Sequence, residues 1–303
     1  MSIVIGRDWY DPETSSLEIV ERKGLGHPDT LADALADEVS RQYSEYCLSR
    51  FGVVLHHNVD KLYIGAGLFE RDFGYSSMVK PVRVQINGRM SSMMNGEKIP
   101  LPELQTIAVR EYLGRILPHL DCNRELQVIC NSTQHTRNPY WFTPRDVVDL
   151  PEVSNLCAND TSVCVAHWPM TICEQVAFEL ERSLWIDSPR GTLTPRFVDI
   201  GQDIKVMVVR CGRALDITAC VPTIASLTPS LDFYNERIRE MEELLSQRTS
   251  NILSGTSFSH TVKINPTPSG EYGIYLLAVG SCIDCGEEGV VGRGNTNQGV
   301  ISV

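Results

Sequence analysis

The sequence has no apolar run as long as a membrane span. Its first residues, Met1-Ser2-Ile3-Val4-Ile5-Gly6-Arg7-Asp8, lack the apolar core of a secretory signal. Positive charge is scarce: 27 Lys and Arg stand against 38 Asp and Glu, a net charge of −11. A chain of that sign carries no general footprint for nucleic acid or an anionic membrane, so neither is expected as a partner. A polyphosphate would have to be held locally, by a few basic residues and metal ions. Zinc spacing is missing too. Cys282-Ile283-Asp284-Cys285 is a lone C-x-x-C without a second pair, and it reads as plain thiols. With no secretory signal, the ten cysteines are expected to be reduced, in a cytoplasmic protein. No G-K-[ST] follows the glycine-rich stretch 286–295, so it is not a Walker P-loop.

What is present is an ordinary globular composition, 42% hydrophobic and 21% charged, over 303 residues. That length is enough for two or more core-sized units. The densest chemistry lies in Glu21-Arg22-Lys23-Gly24-Leu25-Gly26-His27-Pro28-Asp29. Pro28 suits a first helical position, where its missing N–H is not needed. His27 and Asp29 would then sit at a helix N-terminus, which favours anions. Gly24 and Gly26 are expected to let the backbone approach a ligand. Glu21 and Asp29 offer hard oxygens of the kind Mg²⁺ or K⁺ takes. The same residues are equally those of a charged strand-to-helix turn with an Asp that only complements the helix dipole.

Along the chain, 13–22 reads as a strand. A helix is predicted over 28–51, with Leu31, Leu35, Val39, Tyr43 and Cys47 on one stripe and Asp33, Asp37 and Glu38 in solvent. His56 and His57 alternate in a strand and point to opposite faces, so they do not jointly bind one metal; Asp60 at the strand edge is the better ligand contact. Asn87-Gly88 predicts a hairpin turn between strands 79–87 and 89–94. Helices are predicted at 103–117, at 171–185 behind a Thr171/Glu174 capping box, and at 231–247. A hairpin is predicted between 203–209 and 215–220, and strands at 126–130, 260–265 and 272–279. This rhythm implies an α+β fold, with mixed sheets covered by helices on one face. No repeat is visible at the level of residues.

Five ordered segments then carry a resemblance: Glu21–Asp29, Leu55–Asp60, Asn159–Ser162, Gly201–Met207 and Val291–Asn295. They resemble the ERKG-[IL]-GHPD, LHHN-x-D, NDTS, G-x-DIKVM and VGRGN motifs of archaeal-type S-adenosylmethionine synthetases (methionine adenosyltransferases). The resemblance implies a fold of repeated strand–helix units, divided here as 1–125, 126–230 and a partial third unit 231–303. It implies that methionine sulfur attacks C5′ of ATP and expels triphosphate, which is then cleaved. The cofactors implied are Mg²⁺ and K⁺. The assembly implied is a homodimer or dimer of dimers with sites at the interface. On that basis His27 hydrogen-bonds or protonates near the leaving oxygen, and Lys205 and Arg293 face phosphate. Glu21, Asp29 and Asp160 serve the metals. Asp29, Asp60, Gln134, Asp203, Gly292, Gly294 and Asn295 contact ATP or methionine. Taken from the residues alone, Lys205 is also explained as a snorkelling lysine and Asp160 as a turn residue.

The chain departs from the family pattern in several places. Glu287-Glu288-Gly289 stands for DDG, Thr133-Gln134-His135-Thr136 for GQGS, and 163–171 for FGVGYAPLS. Family chains continue past VGRGN into a lysine-bearing SGKNP segment, whereas this sequence stops at Val303. Two further expectations follow from these departures: a diverged paralogue that uses another nucleophile or only binds or hydrolyses nucleotide, and a non-catalytic subunit.

Overall fold

The computed structural model describes residues 12–134, 140–150, 168–187, 193–268 and 272–291. Two four-stranded mixed sheets carry the fold. In the first, Gly289–Val290 pairs antiparallel with His57–Gly65, which pairs antiparallel with Val82–Met90, which pairs parallel with Leu126–Thr133. In the second, Leu17–Lys23 pairs antiparallel with Lys205–Cys211, which pairs antiparallel with Ala214–Cys220, which pairs parallel with Ser259–Ile264. Helices α1 (Pro28–Phe51) and α2 (Leu101–Ile116) cover the first sheet; α3 (Ile172–Ser183) and α4 (Leu231–Ile252) cover the second. The expected α+β class with helices on one face of mixed sheets is the one observed.

Both halves share one plan: helix, antiparallel hairpin, crossover helix, parallel strand. The fourth strand of each sheet comes from elsewhere in the chain. Leu17–Lys23 joins the second sheet although the chain continues directly into α1 of the first half. The GHPD turn is therefore the crossing point between the halves.

The helices form where their side chains dictate. In α1, Leu31, Leu35, Val39, Tyr43 and Cys47 recur every four residues and are all buried. Each large apolar side chain so buried contributes roughly 1.5–3 kcal/mol. Tyr43 Oη donates to the carbonyl of Ser91 at 2.8 Å, so the ring's polar end is satisfied inside the core. Gly52, at φ 73°, ends the helix with its N–H on Leu48 O. Thr171 and Glu174 form the predicted capping box of α3. Glu38 corrects the solvent expectation: it is buried and takes Arg41 and Gln42 as partners.

Asn87-Gly88 is also a correction. The strand runs unbroken from Val82 to Met90, with Gly88 opposite Ser132. Gly88 sits at φ 140°, and a Cβ there would lie 2.2 Å from the Asn58 carbonyl oxygen. The neighbouring strand shifts register between Asn58 and Lys61 at this point. The glycine serves a bulge in the partner strand rather than a turn.

Candidate functional site

Three backbone segments meet at the crossing point. Gly24 N–H donates to Ile204 O at 2.6 Å and Gly26 N–H to Gln202 O at 2.9 Å. A Cβ on Gly26 would lie 2.5 Å from the Gln202 carbonyl carbon, and one on Gly24 would lie 2.8 Å from Ile204 O. These glycines thus admit the 202–204 backbone, which corrects the expectation that they open space for a ligand. Gln202 N–H and Asp203 N–H both donate to Gly280 O. Ser281 Oγ donates to Gly26 O at 2.6 Å, and Cys282 N–H to Asp203 Oδ2 at 2.8 Å. The segments 24–27, 201–205 and 280–285 therefore hold each other, and they bring His27, Asp203 and Lys205 to one cavity of about 340 Å³.

His27 is the N-cap of α1, and its Nδ1 accepts the Asp29 N–H at 3.2 Å. That bond places the ring proton on Nε2. Burial, helped by Lys23 and Lys205, pushes the His27 pKa down to about 4, so the imidazole is neutral. Nε2–H is then left as a neutral donor at the positive end of a 24-residue helix.

Lys23 and Lys205 are register partners across the second sheet. Like charges directly opposite each other are unfavourable unless something answers them. Here Lys23 Nζ meets Asp29 Oδ2 at 3.0 Å, and Lys205 Nζ lies 3.9 Å from Glu21 Oε2. Both pairs are partly exposed and therefore weak, so an anion can displace them.

Asp203 is 4% exposed. Burial pushes its carboxyl up to about 7, against the opposing Cys282 N–H. The opposite wall hangs on Tyr234 of α4. Its Oη donates to Gly273 O and accepts from Asn265 Nδ2 and Tyr275 N. Asn265, at φ 46°, also bonds both backbone groups of Val221.

The profile of the S-adenosylmethionine synthetase (AdoMet synthetase) family matches residues 3–303. The chain belongs to the S-adenosylmethionine synthetase family. It is thus a methionine adenosyltransferase-like transferase by kinship. It is 39% identical over 307 residues to an uncharacterized protein of Streptococcus pyogenes serotype M3, covering all of this chain and 73% of that protein. It is 32% identical over 291 residues to an S-adenosylmethionine synthase of Haloarcula marismortui, covering 96% of this chain and 69% of that protein. Among solved structures, an S-adenosylmethionine synthetase of Campylobacter jejuni is similar at a TM-score of 0.45 and 14% identity. The match covers 91% of this chain and 62% of that structure.

Of the site residues expected in this family member, His27, Asp203 and Lys205 line the cavity, with Asp29 and Glu21 beside the two lysines. Gln134 lies elsewhere, in a separate cleft of about 300 Å³ with Gln105 and Ser132, where its Nε2 donates to Met90 O. Asp60 falls in the strand His57–Gly65 at the register shift. Asp160, Gly292, Arg293, Gly294 and Asn295 lie outside the described residues. His57 is structural, held between Ser40 Oγ and Leu55 O, while His56 packs against Phe142 with the rings tilted by 54°. The sequence names Glu287 only as a departure from DDG, and Lys23, Asn265 and Tyr275 carry no role there. Lys23 needs the strand register to reveal its partner, and the other three reach the cavity only through tertiary packing. Asn265-Pro266 was the one available turn signal.

Among the described residues, no three His, Cys, Asp or Glu side chains converge on a metal position. Mg²⁺ in nucleotide sites is commonly held by one or two carboxylates plus substrate phosphates, and Asp29, on the first turn of α1 and one-third exposed, fits that mode. Among the described residues, no helix is long and apolar enough to cross a membrane.

Proposed function

We propose that this chain catalyses the transfer of the adenosyl group of ATP to methionine sulfur, with triphosphate as leaving group. The observation that carries this reading is the pair of register-matched lysines, Lys23 and Lys205, beside the neutral His27 at the N-terminus of α1. The triphosphate lies across the lysines, displacing Asp29 and Glu21 from them. His27 Nε2–H donates to the oxygen that leaves C5′. A neutral donor suits this position, since it strengthens its bond as charge develops there without transferring a proton in the ground state. The attack is in line, so holding sulfur and leaving oxygen on opposite sides of C5′ supplies much of the rate. Asp203, buried in the cavity wall, opposes the positive charge of the methionine ammonium or the sulfonium formed.

Mg²⁺ and K⁺ belong to this proposal through the family. Bound Mg²⁺ would neutralise phosphate charge, with Asp29 as its protein oxygen and Glu21 nearby. Cleavage of the triphosphate, a role for Arg293 against phosphate and the placement of Asp60 near adenosine or methionine stand on the same footing. We further propose a homo-oligomer. Leu17 and Ile19 are more than half exposed on one face of the edge strand Leu17–Lys23, so this face offers apolar area to a second copy. The experiment is product analysis after incubation with ATP, methionine, Mg²⁺ and K⁺. S-adenosylmethionine supports the reading. Phosphate release without it favours a nucleotide hydrolase on the same scaffold.

A further inference from the structure

The proposed reaction makes no use of Cys282 and Cys285, yet the structure places them together beside it. They bracket the short 3-10 turn Cys282–Asp284, with Cys285 N–H on Cys282 O at 3.0 Å. Residues i and i+3 of such a turn have Cα atoms less than about 7 Å apart. A disulfide spans about 4.4–6.8 Å between Cα atoms, so the turn brings the two cysteines within the range of one. Cys282 is buried in the cavity wall, while Cys285 is half-buried and reachable from outside. Cys282 also touches two groups of the site: its Sγ lies 2.8 Å from Tyr275 Oη, and its N–H holds Asp203 Oδ2 at 2.8 Å. Among the described residues no third His, Cys, Asp or Glu joins them.

We propose that Cys282 and Cys285 are a redox-active dithiol, which a low-molecular-weight disulfide converts to an intramolecular disulfide that reshapes the wall of the cavity. Its effect on turnover rests on reading that cavity as the substrate site. Cys285 thiolate attacks one sulfur of the small disulfide. That S–S bond breaks, and the departing thiolate takes up the proton Cys285 has lost. Cys282 thiolate then attacks Cys285 Sγ, breaking the mixed disulfide, and the second small thiolate leaves with the Cys282 proton. Two electrons pass from the protein to the small disulfide, which ends as two thiols. The order of attack follows from access: Cys285 is half-buried, whereas Cys282 is buried in the cavity wall. Closing the bridge takes Cys282 Sγ from Tyr275 and shifts the anchor of Asp203.

The test uses the full chain, reduced and then incubated with oxidised glutathione, digested and weighed. The peptide carrying 282–285 should become two hydrogens lighter and carry no glutathione. In Cys282→Ser the reaction should stop one step earlier, with one glutathione on Cys285. Free thiols in the wild type, or a bridge from either cysteine to Cys220, would overturn the dithiol. Oxidation should slow S-adenosylmethionine formation about tenfold, because small misplacements of positioning groups are costly. Dithiothreitol should restore the rate, and Cys285→Ser should be insensitive. An oxidised enzyme as fast as the reduced one contradicts the coupling to the cavity. If neither form turns over, the proposed function fails, and the peptide masses still decide the dithiol.

Discussion

The two ring nitrogens of His27 have separate tasks. Nδ1 caps α1 through the Asp29 N–H, and Nε2 carries the proton offered to the site. His27→Ala removes both and confounds a lost cap, worth about 1 kcal/mol, with lost chemistry. His27→Asn keeps a good cap and removes the imidazole. It should fold with near-normal stability in urea and lose about 10²–10³ in turnover, as for one missing oxyanion donor. Full activity in that variant would remove His27 from the reaction. Asp203 leads to a pH prediction. Its folded carboxyl holds a proton up to about 7, whereas the ordinary carboxyl releases it near 3.8. Folding therefore takes up a proton between those values, and stability falls as pH rises through that window, levelling off above it. Asp284, pushed up to about 6 by burial, acts in the same direction. Asp203→Asn should flatten the dependence of the unfolding free energy on pH between about 5 and 7; an unchanged slope would mean that Asp203 is ionised when folded. At this scale the GHPD and DIK residues were legible because their types already state a chemistry. Lys23 was not, since its meaning depends on lying opposite Lys205.

The glycines of the site act on elements rather than on ligand. Gly26→Ala forces a Cβ against the Gln202 carbonyl carbon, 2.5 Å away, so the turn before α1 must separate from the strand that begins at Lys205. A loss of about 1–3 kcal/mol in chemical denaturation is expected, with a larger fractional loss of activity because His27 and Lys205 move apart. An unaltered midpoint with full activity would contradict the three-segment arrangement. The four helices were visible as stripes of apolar residues, and Thr171 with Glu174 announced α3 directly. Asn87-Gly88 misled because a dipeptide that suits a hairpin turn also suits a strand facing a bulge, and only the Asn58 carbonyl against Gly88 distinguishes them. Strand order was not legible either. Nothing near Leu17–Lys23 in sequence indicates pairing with Lys205–Cys211 nearly two hundred residues on.

At the scale of the molecule, two halves of one plan exchange strands, and the cavity lies where the chain crosses between them. Side chains from the second sheet, the N-terminus of α1 and the 280–285 turn all face it. A ligand there touches both cores, so ATP should stabilise the whole chain in one cooperative step. At a hundredfold excess over its Kd the gain is about 2.7 kcal/mol, read as a rise in the thermal midpoint. A midpoint that ATP leaves unmoved would contradict a nucleotide site at the crossing. The repeat was hidden from the sequence because its two copies share pairing topology rather than residues. The most direct test of the account is mass spectrometry of the products formed from ATP, methionine, Mg²⁺ and K⁺ by the wild-type chain and by His27→Asn. The account predicts S-adenosylmethionine from the first and at most a trace from the second. Phosphate without S-adenosylmethionine from the wild type, or equal product from both, would contradict it.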